Sequence, residues 1–243
     1  SKALLKVGID IRRKLFKEVI DNLGGNLEMI ICGGAALDQK YEKGMYDLGI
    51  QVINGYGTTE CSPIITCNRL SKFKFGSAGY ALECNDVIIK DPDEDGVGEV
   101  CAKGSNVMMG YYNEPEATAE TFDGEWFKTG DYGYMDKDGY IFLKGRKKNL
   151  IVLSNGKNVS PEEIEDKLLT VDYIKEVVVY AEDGAITAEF YLDETGTPNA
   201  RDQLKKDVRA INLQLPAYKQ VTKTKIRDTE FPKTTTLKIK RKY

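Results

Sequence analysis

The stretch LEMIICGGAAL, residues 27–37, and its counterpart IQVINGYGTTE, residues 50–60, decide how the first part of this chain folds. Each is an apolar run ending in glycine, which predicts a buried strand feeding a tight loop. Between them Asp38 stands where a helix cap belongs, and a helix is expected through Leu48. Upstream, Ile11, Leu15, Phe16, Val19, Ile20 and Leu23 recur at helical spacing, so another helix is expected over 11–23. Strands alternating with helices imply a parallel α/β layer whose functional loops lie at the carboxyl ends of the strands.

Beyond Leu70 the texture changes. NDVIIK, GEVCAKG and YIFLKG are short β segments separated by turn dipeptides such as Asp95-Gly96 and Asp138-Gly139, with one short helix around Glu116 to Thr121. They predict a small β-barrel or β-rich subdomain. GRKKNLIVLSNGKNV follows, where Asn155-Gly156 signals a tight hairpin. Ser160-Pro161-Glu162-Glu163 reads as a capping box opening a helix to about Leu169. KEVVVYAEDGAITAEFYLD predicts a hairpin around Asp183-Gly184, and Asn199 caps an expected helix carrying Leu204, Val208, Ile211 and Leu215. The fold class is therefore α/β plus α+β: an α/β part over 1–70, a β-rich part over 71–147 and an α+β domain over 148–243. No internal repeat or low-complexity segment interrupts it.

Composition narrows the chemistry. At 243 residues, 41% hydrophobic and 30% charged, the chain can bury a core in one or two domains. A net charge of −3 argues against a dedicated nucleic-acid binder, whose affinity needs a dominant positive field. No apolar run reaches membrane-spanning length and the N-terminus lacks a signal-peptide layout, so a soluble protein without a transmembrane segment is expected. The cysteines at 32, 61, 67, 84 and 101 contain no CxxC pair, which suits a reducing cytoplasm, with peripheral membrane association still compatible. The chain has no histidine, which removes imidazole-activated nucleophiles and imidazole metal sites. Chemistry must run on carboxylates, lysines, hydroxyls and backbone dipoles, an inventory suited to phosphoryl and nucleotidyl reactions.

Four segments could carry such chemistry. NGYGTTE, Asn54 to Glu60, offers glycines at 55 and 57, hydroxyls at Thr58 and Thr59, and the Glu60 carboxylate, a set able to hold phosphates and magnesium. A plain turn closing a strand–helix unit would read the same way. KTGD places Asp131 after Gly130, where its two acceptor oxygens could take both hydroxyls of a ribose or serve its own backbone. GRKKN is either a solvated basic face or, at the expected domain junction, a segment that absorbs a backbone rotation. PKTTTLKIKRKY carries Lys238 on a polar loop; it could be a solubilising tail, a nucleic-acid grip or a lysine that enters a reaction centre. Residues 219–243 hold nine cations against two acids, which keeps a non-catalytic binding protein in view.

In order and spacing, GGAAL, NGYGTTE, KTGD, GRKKNLIVLSNGKNVSPEEIE and PKTTTLKIKR resemble the acyl-CoA synthetase branch of the adenylate-forming superfamily, from about Met29 to the C-terminus. The GRKK…GKNVSPEEIE stretch looks most like long-chain fatty acid–CoA ligases. The resemblance implies a reaction in two halves, with ATP, Mg2+ and CoA as partners: a fatty carboxylate is adenylated with loss of pyrophosphate, and the CoA thiol then displaces AMP. By position, it implies that Gly33, Gly34 and Ala35 line the adenine and acyl pocket, and that Tyr56 packs on the purine. Asn54, Gly55, Gly57 and Thr58 belong to the same nucleotide loop, with Thr59 touching phosphate and Glu60 holding magnesium. Asp131 would bind ribose, assisted by Arg146. Lys148 corresponds to the hinge, Lys238 to the lysine reaching the α-phosphate, and Asn155 and Gly156 to the pantetheine passage.

Two departures stand out. Leu237 occupies a position where the family usually has glycine. The family's Ser/Thr/Gly-rich phosphate loop is not among these residues, which leads to the expectation of a C-terminal portion of a longer enzyme, with negligible ligase activity by itself. Carrier-protein acyl ligases and amino-acid-activating modules share the pattern and are the nearest alternatives.

Overall fold

The computed structural model describes residues 5, 8–35, 37–153, 156–193, 195–197, 199–235 and 239–241. The chain divides into two compact units, residues 1–143 and 144–243.

In the first unit, helices α1 (Arg12–Leu15) and α2 (Lys17–Asn22) replace the single helix expected over 11–23. The chain bends at Phe16, with φ −107° and ψ 30°. Polar anchors set the first turn: Arg12 pairs with Asp10, and Arg13 donates to the carbonyls of Leu27 (2.6 Å) and Gly25 (3.0 Å). Strand β1 (Met29–Cys32), helix α3 (Gln39–Leu48) and strand β2 (Gln51–Tyr56) follow as expected, with β1 and β2 parallel. Asp38 caps α3 by accepting from the Lys40 amide at 2.7 Å. The expectation that β1 is buried is not met, because Met29 and Ile31 are exposed. Only β2 lies beside β1 among the described residues, so one edge and much of its surface stay open. The same applies to the helical apolar stripe, where Leu15, Phe16, Val19 and Leu23 are exposed and only Ile20 is buried.

Strands β3 (Thr66–Cys67) and β4 (Tyr80–Ala81) extend this sheet antiparallel from β2. A curled second sheet then takes β5 (Asn85–Lys90), β6 (Gly98–Gly104), β7 (Phe122–Asp123), β8 (Trp126–Met135) and β9 (Ile141–Arg146), in the order β5-β6-β8-β7 with β9 also against β8. Helix α4 (Pro115–Thr121) precedes β7 and has proline at its start, where a missing N–H costs no intrahelical bond. Tyr56, Cys61, Ile65, Val100, Ala102 and Phe127 form the core joining the two sheets.

The second unit opens with the antiparallel pair β10 (Ile151–Val152) and β11 (Asn158–Val159), the expected hairpin around residues 155 and 156. Helix α5 (Pro161–Leu168) starts at the expected proline, but the capping box does not form. The Ser160 hydroxyl instead lies within hydrogen-bond reach of the Lys144 carbonyl and of Glu162 Oε2 (3.0 Å), its single proton serving one acceptor at a time. Strands β12 (Ile174–Glu182) and β13 (Ala185–Leu192) make the expected hairpin, with Asp183 at φ 52° and Gly184 at φ 75° as a two-residue turn of this handedness requires. Helix α6 (Ala200–Asn212) follows, without a side-chain cap from Asn199. Strand β14 (Lys223–Arg227) then runs parallel to β13. Ile186, Ala188, Phe190 and Leu192 alternate along β13 into one core with Leu168 of α5 and Leu204 of α6. Among the described residues no helix is long and apolar enough to cross a membrane.

Candidate functional site

Parallel pairing of β1 with β2 sets their carboxyl ends side by side. Gly33 to Ala35 leave β1 next to the end of β2, and a side chain at Gly33 would lie 3.2 Å from the Gly55 carbonyl oxygen. Asn54, Gly55 and Tyr56 complete β2 and are not part of the loop that the sequence suggests. Gly57 then turns under the Pro63–Ile64 backbone so closely that an added Cβ would sit 1.9 Å from the Pro63 oxygen. Thr58 is extended and half-buried, and a single 3-10 turn, Thr59–Cys61, presents Thr59 and Glu60. Cys61 faces the core at 0% exposure, where burial pushes its thiol up.

A bulge places Asp131. Along β6 and β8, Glu99 faces Tyr132 while Cys101 faces Lys128, so β8 advances four residues where β6 advances two. Gly130, at φ 71°, absorbs the extra length. The Thr129 hydroxyl donates to the Val100 carbonyl at 2.7 Å and accepts from the Asp131 amide at 3.1 Å. Asp131 is thus a strand residue held by its neighbours, in place of the turn aspartate that KTGD suggests. Its Oδ2 accepts the Tyr56 hydroxyl at 2.7 Å across 75 positions of sequence, and both residues are buried. Tyr56 accordingly keeps its ring largely within the core, only 8% of the residue being exposed.

Glu60 is held from the segment after β6. Tyr111 donates its hydroxyl to Glu60 Oε1 at 2.9 Å, and the Met108 amide donates to the Glu60 carbonyl at 2.7 Å. Burial first, then the bond to Glu60, pushes the Tyr111 hydroxyl up from its ordinary value. Asn106 Nδ2 donates to the carbonyls of Cys61 (2.8 Å) and Ile64 (2.9 Å). Sequence reasoning passed over Asn106 and Tyr111, because an aromatic pair between Gly110 and Asn113 reads simply as loop.

No group of three or more His, Cys, Asp or Glu side chains able to hold a metal occurs among the described residues. One carboxylate with a neighbouring hydroxyl is nevertheless the donor set that suits magnesium, which prefers oxygen and takes most of its other ligands from water and phosphate. Glu60 and Thr59 fit that description.

The remaining candidates belong to the second unit. Arg146 and Lys148 are exposed, with Lys148 in a one-turn helix, Lys147–Asn149, that follows β9. Asn149 donates to Glu162 Oε1 at 2.6 Å, so this turn is fastened to the start of α5. Gly156 is exposed at φ 78°, while Asn155 and Lys238 lie outside the described residues. On either side of 236–238, Lys233 bridges with Ile239, and the Lys240 amide donates to the Pro232 carbonyl at 2.7 Å. Arg241 forms a two-point ion pair with Glu165, which is 6% exposed and also accepts the Val179 amide at 2.7 Å. Burial opposes ionisation of Glu165, while Arg241 and the Val179 amide favour it.

Several cations of the basic end are paired among the described residues. Lys219 pairs with Glu163, Lys223 with Asp183, Lys225 with Glu182, and Lys233 with Glu176 and Glu230, all acids of the same unit. Those pairings offset part of the positive charge of residues 219–233.

Two family models match the chain: AMP-binding enzyme over residues 5–112 and AMP-binding enzyme C-terminal domain over residues 148–243. A long-chain-fatty-acid–CoA ligase, FadD15, of Mycobacterium bovis is 35% identical over 167 residues, covering 69% of this chain and 27% of that protein. The long-chain-fatty-acid–CoA ligase of Haemophilus influenzae is 34% identical over 226 residues, covering 89% and 39%. Among solved structures, O-succinylbenzoate coenzyme A synthetase from Bacillus subtilis, in complex with ATP and magnesium ion, superposes with a TM-score of 0.75 at 30% identity over 87% of this chain and 45% of that one. The chain thus spans 27% to 39% of the length of these two curated relatives.

Proposed function

Because this chain belongs to the AMP-binding enzyme family, we propose that it supplies nucleotide-binding residues and the lysine-bearing C-terminal domain of an AMP-forming fatty acid–CoA ligase. The observation that carries the reading is the 2.7 Å bond between Tyr56 and Asp131. It joins the two segments implied to hold adenine and ribose, on the same strand end that leads to Glu60. The names of the bacterial fatty-acid ligases above favour a fatty acid as the acid substrate.

In the proposed reaction a fatty carboxylate oxygen attacks the α-phosphorus of ATP, and the bond to the bridging oxygen of pyrophosphate breaks. The CoA sulfur then attacks the acyl carbon, and AMP leaves with the electron pair of the C–O bond. A carboxylate is already nucleophilic at neutral pH, so a chain without histidine is adequate to the first half. Asp131 binds the ribose hydroxyls with Arg146 assisting, Thr59 donates to phosphate, and Gly33, Gly34 and Ala35 leave room for adenine and the acyl group. Tyr56 contributes chiefly by holding Asp131. Magnesium, when bound, supplies positive charge to the triphosphate, with Glu60 as its protein ligand. Lys148 is the proposed pivot between the two halves, Lys238 the cation that meets the α-phosphate, and Asn155 with Gly156 the turn beside the pantetheine passage. A cytoplasmic site of action suits the free thiols.

The test is made in the active protein that contains this chain. Lys238→Ala should lower adenylation, followed as ATP–pyrophosphate exchange with a fatty acid, by roughly 100-fold. Thioester formation from preformed acyl-adenylate and CoA should stay near the unsubstituted rate. Equal loss in both assays would remove the role of Lys238, and no exchange with any fatty acid would remove the substrate class.

A further inference from the structure

We propose that the segment Asn106–Tyr111 is a positioning element for Glu60, with the Tyr111 hydroxyl holding the carboxylate in the orientation that meets the magnesium of the bound nucleotide. The proposal rests on the reading of Glu60 as the magnesium ligand given above, and assigns new roles to two residues outside the motifs.

Glu60 sits on a single 3-10 turn, an element too short to hold its own side chain still. A glutamate carboxylate turns about three side-chain bonds, and presenting it to a small octahedral ion requires that freedom to be removed beforehand. The observed contacts do this at three levels. Asn106 fixes the backbone after the turn through the carbonyls of Cys61 and Ile64. Met108 fixes the Glu60 peptide itself through its carbonyl. Tyr111 fixes the carboxylate, donating to Oε1 across 51 positions of sequence.

The segment is itself anchored. The Tyr111 amide donates to Thr118 Oγ1 at 2.9 Å, and that hydroxyl donates to the Glu114 carbonyl at 2.8 Å. Gly110 packs so close to Thr118 that an added Cβ would lie 2.7 Å from its methyl carbon. Tyr111 is thus aimed by the start of α4 and not by chance of a free loop. Its neighbour Tyr112 is 91% exposed, which makes it a natural control. Tyr111 is itself 38% exposed, so water competes for the bond and the effect belongs at the lower end for a group that orients a metal ligand.

The experiment titrates Mn2+ into the active protein with ATP present, reading bound ion by electron paramagnetic resonance, alongside the melting temperature of each variant. Tyr111→Phe keeps the ring and removes only the donor. It should weaken Mn2+ binding by about tenfold with the melting temperature unchanged, while Tyr112→Phe leaves the titration as it was. In turnover assays the apparent KM for Mg2+ should rise for Tyr111→Phe while the rate at saturating Mg2+ is retained. If Glu60→Gln weakens Mn2+ binding and Tyr111→Phe does not, the positioning role is wrong and the magnesium reading stands. If Glu60→Gln leaves the titration unchanged, the magnesium reading fails and takes this proposal with it.

Discussion

The two units of this chain solve the burial problem differently. The second has one core running from Ile151 to Val221, fed by one face of the β12–β13 pair and by the apolar stripes of α5 and α6. The first has a smaller core around Tyr56, Val100 and Phe127, and leaves Leu15, Phe16, Val19, Met29 and Ile31 exposed. In the first unit the polar groups around Asp131 and Glu60 are well partnered, whereas these apolar faces stay uncovered. Asp131, Glu60 and their partners are each fixed by side-chain and backbone bonds. The contrast separates two tasks: the second unit holds itself together chiefly through packing, whereas the first uses a modest core to aim polar groups at one strand end.

The largest effect that tests this separation comes from the second unit. Phe190 is fully buried on β13, and Phe190→Ala should cost about 4 kcal/mol. Hydrogen exchange should show lost protection confined to residues 144–243; equal loss in the first unit would mean that the two fold as one. A smaller effect is expected at the aimed pair. Tyr56→Phe removes one donor to a buried carboxylate and should cost about 1.5 kcal/mol, read from denaturant unfolding of the first unit, with a higher KM for ATP in the active protein. An unchanged KM would show that Asp131 does not need Tyr56 to be held.

The smallest expected effect is a pH dependence at the edge of the first unit. Bonds from Arg12 hold the Asp10 carboxyl down to about 2, from 3.8 in an open chain. A depressed carboxylate contributes stability above its unfolded value and loses it as pH falls through the folded one. Asp10→Asn should therefore flatten the acid unfolding curve of the first unit between pH 3.8 and about 2 and leave the second unit's curve alone. Asp10 is nearly half exposed, so solvent screening keeps this contribution small. A curve that does not flatten would show that the Asp10–Arg12 pair has no part in holding α1.

Much of the fold is legible before any coordinates. The β1–α3–β2 unit announces itself by apolar runs, an aspartate cap and glycine stops, and the Asp183-Gly184 hairpin by turn chemistry. These signals are local, and so is the physics that produces them. β8 is a different case. Its buried positions are Phe127, Thr129, Asp131 and Gly133, so alternating burial is not mirrored by alternating hydropathy. β14 is hidden for a similar reason, since KTKIR has lysines on an open edge strand and little apolar signal.

The sequence by itself determined the β1–α3–β2 alternation, the mixed α/β and α+β class, and the motifs through which the chain is seen to belong to its family. Those follow from spacing of apolar residues, caps and turns along a few consecutive positions. Only the tertiary structure decided that Asp131 is a bulged strand residue bonded to Tyr56, that Tyr111 reaches Glu60, and that Lys219, Lys225 and Lys233 are paired with acids of their own unit. Those contacts join residues tens of positions apart, and a hydrogen bond or ion pair leaves no periodic trace in the chain that makes it.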